Sequence, residues 1–327
     1  MNAEQRADTI VNTSADTIVV RLTAIRFAAD GINLYELQRV GGAPLPAAMP
    51  GAHIDVHLPR GMIRQYSLAI IDPASTRYII GVKRDPNGRG GSRFMHEELR
   101  VGAPLMISSP RNTFPIVEST GPSVLIAGGI GITPIWPMAR RLHDEGRPYE
   151  LHYACRTRAE AAFADELAAL GALRLHLDDE HGGVLPIDTV VAASPADAHF
   201  YFCGPEPMRL AFERAIAGRP ADQVHVELFS NPSVVKAQDG SFVVELARSR
   251  KRLVISPGET ILGVLRAAGI AVPSSCEQGV CGTCETTVLD GVPDHRDAVL
   301  SPQERARGQT MMICCSGSKT EKLILDL

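Results

Sequence analysis

The sequence has no surplus of basic charge, and that absence removes one class of partner. Its 327 residues carry a formal net charge of −4, whereas a binder of nucleic acid or anionic membrane needs a basic face. No apolar run approaches the roughly 18 residues that cross a bilayer. The opening segment, MNAEQRADTIVNTSAD, has no basic stretch followed by an apolar core, so no secretory leader is expected. Cysteines number seven, an odd count, which in an unexported chain argues against a disulfide framework. The cytoplasm is therefore the expected compartment. There is no internal repeat, no low-complexity tract, and no His-x3-His or paired-carboxylate metal pattern. Single histidines such as His53 and His199 read as surface or strand residues.

What is present is an ordinary globular composition, 45% hydrophobic and 21% charged, in a chain long enough for two or three domains of about 100 residues. Residues 1–118 hold short β-rich runs at 17–28, 32–40, 53–58, 64–71 and 77–84, broken by Gly and Pro, the texture of a small antiparallel β-barrel. Residues 119–228 alternate strand and helix. SVLIA runs into GGIGITP and a helix stopped by Gly146, and AEAAFADELAALG reads as a helix closed by Gly171. That alternation predicts an α/β domain on a parallel sheet. LDDEH reads as a loop, and 229–240 as a linker. Residues 241–327 open with two strands around the basic turn RSRKR, followed by a helix capped by Thr260 and ended by Gly269.

Three thiols then fall within nine residues, CEQGVCGTC, with two more in MMICCSG. The spacing C-x4-C-x2-C followed by a distant cysteine is the plant-type [2Fe–2S] arrangement. Four thiolates and bridging sulfides carry negative charge, so the loop has to turn backbone N–H groups inward. Gly279 and Gly282 allow that wrapping because no Cβ keeps the backbone away. A zinc site would have to draw its second pair from the adjacent Cys314 and Cys315, a poor tetrahedral geometry. Cys276, Cys281 and Cys284 are three ligands; spacing alone leaves the fourth open between Cys314 and Cys315.

A one-electron centre needs a source of electrons. In RQYSL, Tyr66 can lie against a flavin ring, Ser67 can hydrogen-bond its polar edge, and Arg64 can pair with its phosphate. Gly90, Gly91 and Ser92, in GRGGS, form a turn of free N–H donors suited to a phosphate. GGIGITP follows a strand and opens a helix, where N–H groups and the helix dipole meet a pyrophosphate. Its pattern is Gly129-x-Gly131-x-x-Pro134, and the next strand ends in Cys155-Arg156 without an acidic residue. It departs from the dinucleotide fingerprint of plain dehydrogenases on both counts.

VPSSCEQGVCGTCE, DHRDAVLS, MICCS and the final LILDL resemble the ferredoxin-like domain of the phthalate dioxygenase reductase family. RQYSL and GVKRDPNGRGGS resemble its flavin-binding segments, and GGIGITP is similar to the nucleotide turn of ferredoxin reductase-like flavoproteins. The resemblance covers essentially the whole chain. It implies a β-grasp [2Fe–2S] domain with Cys314 as fourth ligand, Cys315 standing at a position usually apolar. It implies FMN held near Lys83, Gly90, Gly91 and Ser92 with Phe229 by the ring. It also implies NADH held by Gly129, Gly131 and Thr133, with Cys203, Gly204 and Pro205 lining the far end of the pocket. The implied activity is electron transfer from NADH through FMN to the cluster and on to a Rieske-type oxygenase, by a chain that can be a monomer. A cytochrome, a ferredoxin or free flavin is the alternative acceptor.

Overall fold

A computed structural model describes residues 17–229 and 240–327. The chain divides into two compact units, Met1–Glu227 and Leu228–Leu327. Residues 230–239, nearly all of the expected linker, lie outside the described residues.

In the first unit, strands β1 (Thr17–Ala29), β2 (Ile32–Arg39), β3 (His53–His57), β4 (Ile63–Ile70), β5 (Tyr78–Lys83) and β6 (Pro104–Ser108) close a barrel in the order β1-β2-β5-β4-β3-β6. The period-two pattern explains the closure: Ile18, Val20 and Leu22 point inward while Val19 and Arg21 point out. Inward residues from every strand, including Leu37, Ile54, Ile80 and Ile107, share one core, each worth about 1.5–3 kcal/mol when fully buried. The sequence did not suggest β6. It is five residues long and starts at a proline, yet it pairs with both β1 and β3 and so closes the ring. A short helix, α1 (Gly91–Glu97), is pinned to the barrel by the Tyr35 hydroxyl, which donates to the Met95 carbonyl at 2.9 Å.

The same unit continues with β7 (Ser123–Gly128), α2 (Ile132–Asp144), β8 (Tyr149–Cys155), α3 (Ala164–Ala168), β9 (Leu173–Leu177), α4 (Asp178–His181), α5 (Ile187–Ala193), β10 (His199–Cys203), α6 (Glu206–Ile216) and β11 (Val224–Glu227). All four sheet pairings are parallel, in the order β11-β10-β7-β8-β9. Alternate residues of β7 serve opposite faces. Leu125 and Ala127 pack with Ile135 and Met138 of α2, while Val124 and Ile126 pack with Val191 of α5 and Phe212 of α6. A strand apolar on both faces requires helices on both sides.

Two expectations shift locally. The helix expected over AEAAFADELAALG shrinks to the five residues of α3, because Phe163 adopts φ 61°, outside the helical basin. Its buried ring stacks on Trp136 at 6.0 Å, so packing overrides local helical preference. LDDEH, expected as a loop, makes the single turn α4, whose first three residues are acidic and suit a helix start.

The second unit contains β12 (Phe242–Leu246), β13 (Lys251–Ile255), α7 (Ile261–Ala267), β14 (Glu285–Asp290), β15 (Pro293–Asp294), α8 (Pro302–Arg307), β16 (Thr310–Met312), β17 (Gly317–Ser318) and β18 (Lys322–Leu325). Its sheet runs β13-β12-β18-β14-β16, with β12 and β18 parallel. The Thr260 hydroxyl accepts from the Gly263 N–H at 3.0 Å and caps α7. Gly269, at φ 73°, ends that helix. The basic turn is partly neutralised, because the Arg248 guanidinium donates to the Asp326 carboxylate at 2.7 Å.

Candidate functional site

The cluster loop lies between α7 and β14, and its backbone shape follows from three left-handed residues: Glu277 (φ 55°), Gly279 (65°) and Gly282 (76°). Glu277 pays a strain of roughly 1–2 kcal/mol for that conformation, and its carboxylate is anchored to Arg266 of α7 at 3.0 Å. The repeated reversal turns amides toward sulfur. The Gln278 N–H donates to the Cys276 Sγ at 3.3 Å, the Val280 N–H reaches the same sulfur, and the Cys314 N–H reaches Cys284.

The thiols meet as two pairs, Cys276 with Cys281 and Cys284 with Cys314, joined by a contact between Cys276 and Cys314. Thiol donation from Cys281 and then from Cys314 holds the Cys276 sulfur well below the usual thiol range. Cys284 is lowered by Cys314, while Cys281 and Cys314, as the donors, are pushed up. Among the described residues no group of three Cys, His, Asp or Glu side chains closes around a point for a lone ion. Two joined thiol pairs with amides turned to sulfur suit a group of two irons, and the donor set fits [2Fe–2S]. Cys315 contacts the thiol set through Cys314. Its Sγ lies 2.5 Å from where a Cβ on Gly279 would sit, behind the loop.

DHRDAVLS supports this loop from behind. Asp297, 4% exposed, accepts from the Leu300 N–H at 2.8 Å and from the Ser316 hydroxyl at 3.4 Å. The next amide, Ala298, donates to the Gly279 carbonyl at 2.8 Å.

In the first unit, the turn after β7 and the end of β10 face each other where the strand order reverses, the position at which doubly wound sheets bind ligands. Two of its glycines are required for different reasons. Gly129 has φ 52°, and a Cβ on Gly131 would lie 2.1 Å from the Cys203 carbonyl oxygen. Gly204 fits beside the Gly128 backbone, and Pro205 starts α6. Thr133 is 2% exposed, and its hydroxyl donates to the Ile130 carbonyl at 2.9 Å. Its methyl lies 2.7 Å from where a Cβ on Gly81 of β5 would be, so the barrel wall touches the nucleotide turn directly.

At the barrel end, Arg64 runs along the GRGGS turn. Its guanidinium donates to the Arg89 carbonyl at 2.9 Å, and a Cβ on Gly91 would meet its Nε at 2.6 Å. Gly90, at φ 85°, starts α1, and the first helical bond runs from the Phe94 N–H to the Gly90 carbonyl. The N–H groups of Gly91, Ser92 and Arg93 precede it and have no helical acceptor. A guanidinium beside such donors fits a phosphate. The Ser92 hydroxyl accepts from the Asp85 N–H at 3.1 Å. Tyr66 shares a strand face with Arg64, and burial pushes its hydroxyl pKa up. Ser67 is buried opposite His53. Lys83 ion-pairs with Glu160 at 3.5 Å, at the nucleotide side of the barrel. Phe229 belongs to the second unit and is 43% exposed.

Sequence reasoning missed one group. Glu227 ends β11 in register with Cys203, and burial alone pushes its carboxyl up to about 7. Burial likewise pushes the Cys203 thiol well up. A desolvated acid at a strand end in a ligand crevice is a functional candidate. VHVELFS gave no signal for it, because only strand pairing brings Glu227 to Cys203. At the far edge of the sheet, Arg158 ion-pairs with Asp165, and the Asp179 N–H donates to the Arg156 carbonyl at 3.1 Å. Asp178, Asp179 and Glu180 therefore follow directly beside the end of β8.

A ligand crevice at a sheet switch point, against a barrel with a phosphate-ready turn, in one chain with a paired-thiol loop, defines a nicotinamide-dependent iron–sulfur flavoprotein. Comparison with known proteins agrees. The 2Fe-2S iron-sulfur cluster binding domain matches residues 244–318, and the oxidoreductase NAD-binding domain matches 125–214. The chain is 54% identical over 95% of its length to the phenoxybenzoate dioxygenase subunit beta of Ectopseudomonas oleovorans, covering 97% of that protein. It is 48% identical to the tetrachlorobenzoquinone reductase of Sphingobium chlorophenolicum, covering 95% of this chain and 98% of that one. The solved structure of phthalate dioxygenase reductase, described as a modular structure for electron transfer from pyridine nucleotides to [2Fe–2S], superposes with a TM-score of 0.76. It is 37% identical over 95% of this chain and 98% of that one. The chain belongs to the phthalate dioxygenase reductase family. Among the described residues no helix is long and apolar enough to cross a membrane.

Proposed function

We propose that this chain is the NADH-dependent reductase component of a Rieske-type oxygenase system, with Cys276, Cys281, Cys284 and Cys314 as cluster ligands. Bound FMN and [2Fe–2S] supply the conversion of NADH's electron pair into single electrons delivered outward. The single observation that carries the reading is the direct packing of Gly81, on a flavin-barrel strand, against Thr133 of the nucleotide turn. That contact puts two binding surfaces side by side, and orientation rather than acid–base chemistry is what such a transfer asks of a protein.

Each residue group has a positioning role. Gly91, Ser92 and Arg64 hold the flavin phosphate, while Tyr66 and Ser67 face its ring. Gly129, Gly131 and Thr133 receive the pyrophosphate and nicotinamide ends of NADH, and Cys203, Gly204 and Pro205 close the pocket. The carboxylates of Asp178, Asp179 and Glu180 oppose a 2′-phosphate, which favours NADH over NADPH. Domain limits at 118 and 240, a monomeric state and a cytoplasmic location belong to the same reading.

The test is to purify the full chain and measure flavin, iron and acid-labile sulfide, then bleaching by NADH, then turnover with an oxygenase component. FMN, iron and sulfide together with NADH bleaching are expected. Protein without iron and sulfide after anaerobic isolation overturns the reading. A second reading, delivery to another small acceptor, draws support from the quinone reductase relative at 48% identity. Quinone reduction that outpaces every oxygenase tested would favour it.

A further inference from the structure

Cys315 is a buried thiol that the proposed ligand set does not use. It is 6% exposed and packs in the core of the second unit. Its Sγ has only long contacts to oxygen, 3.7 Å to the Met312 carbonyl and 3.9 Å to the Ser316 hydroxyl. A buried cysteine packs much as a small apolar side chain would, so filling space does not call for sulfur. The position of this sulfur is what stands out. It touches the Cys314 thiol on one side and lies against Gly279, the midpoint of the loop between Cys276 and Cys281, on the other.

The backbone there is a single tight turn. The N–H groups of Cys315 and Ser316 both donate to the Met312 carbonyl, at 3.2 and 3.0 Å. Consecutive side chains on such a turn diverge by roughly 100°, so exchanging one for the other takes a rotation of the turn of about that size. Gly279 has no side chain to obstruct the path.

We infer that Cys315 is a reserve ligand, able to take the place of Cys314 on the cluster. In the exchange the bond from iron to the Cys314 sulfur breaks and that sulfur takes up a proton. The Cys315 thiol gives up its proton as its own bond to iron forms. Charge and electrons are conserved, and no oxidant is involved. The inference rests on Cys314 being the primary fourth ligand.

The experiment uses the full chain, handled anaerobically, as Cys314→Ala, Cys315→Ala and the double variant. Alanine is used because serine can itself ligate iron through oxygen. The readouts are iron, acid-labile sulfide and the visible circular dichroism of the cluster. Cys315→Ala is expected to match the parent in all three. Cys314→Ala is expected to keep the greater part of its iron and sulfide with an altered dichroism band. The double variant is expected to lose both while keeping flavin. An iron-free Cys314→Ala protein beside a normal Cys315→Ala protein overturns the inference. An iron-free Cys315→Ala protein with a parent-like Cys314→Ala spectrum overturns instead the assignment of Cys314, and with it the ligand set proposed above.

Poor folding of Cys314→Ala is covered by a second measurement on Cys315→Ala alone. Under an iron chelator it is expected to lose its visible band faster than the parent, because a dissociated ligand has no substitute. Equal loss rates overturn the inference.

Discussion

The two units hold their groups in opposite ways. In the second unit the site is concentrated. Three of its four sulfurs fall within nine residues, and three left-handed backbone positions shape the loop around them. In the first unit the site is dispersed. The residues proposed for it, 64 to 67, 81 to 92, 129 to 133 and 203 to 205, are drawn from β4, from β5 and the turn after it, and from the ends of β7 and β10. Covalent ligation demands particular atoms at short range, so it writes itself into local sequence. Non-covalent binding of a large flat cofactor demands shape and orphan donors, which the tertiary fold supplies.

The sharpest break between the units is expected from Cys281→Ala. It should remove essentially all iron and sulfide while leaving NADH-driven reduction of an artificial dye, measured by absorbance, close to that of the parent. Loss of both would mean that the two sites are not separable. Next in size is Gly131→Ala, whose new Cβ meets a backbone carbonyl that cannot swing aside. A stability loss of about 2 kcal/mol is expected, together with a raised KM for NADH in steady-state dye reduction and unchanged iron content. Unaltered KM would mean that the turn does not approach the nucleotide.

A smaller change is expected from Asp178→Ser combined with Asp179→Ser. Removing two charges from the strand edge should raise kcat/KM for NADPH about tenfold, equivalent to about 1.4 kcal/mol. No gain would place the ribose elsewhere. A pH-dependent effect concerns Glu227, whose carboxyl is raised by burial from 4.5 to about 7. The fold favours its neutral form, so this contribution to stability is full below about pH 4.5 and is lost as pH rises through about 7. Glu227→Gln should flatten that part of the thermal-denaturation profile between pH 5 and 8. A slope equal to that of the parent would show that the group does not titrate there.

The same contrast explains what the sequence disclosed. The cysteine spacing carried the cluster assignment unaided, since C-x4-C-x2-C permits few other chemistries. The strand–turn–helix around GGIGITP was legible because a glycine turn between an apolar run and a helical pattern has one common geometry. β6 was missed because five residues starting at a proline carry little periodicity, and only pairing with β1 and β3 makes them a strand. The helix expected over 159–171 was overestimated because Phe163 trades helical backbone for a stacked, buried ring. Glu227 was invisible because its partner Cys203 is 24 positions away and adjacent only through parallel pairing. Spacing left Cys314 and Cys315 open as the fourth ligand, since neighbours in sequence are separated only by the direction of their side chains.

The place of β18, between β12 and β14 at the middle of the cluster-bearing sheet, also sets an order of events during synthesis. Domains fold as units once their sequence has emerged, and this sheet has no centre until Lys322–Leu325 arrive, eight to eleven residues after Cys314. The four thiols proposed as ligands are therefore all made before the central strand that completes the sheet around them.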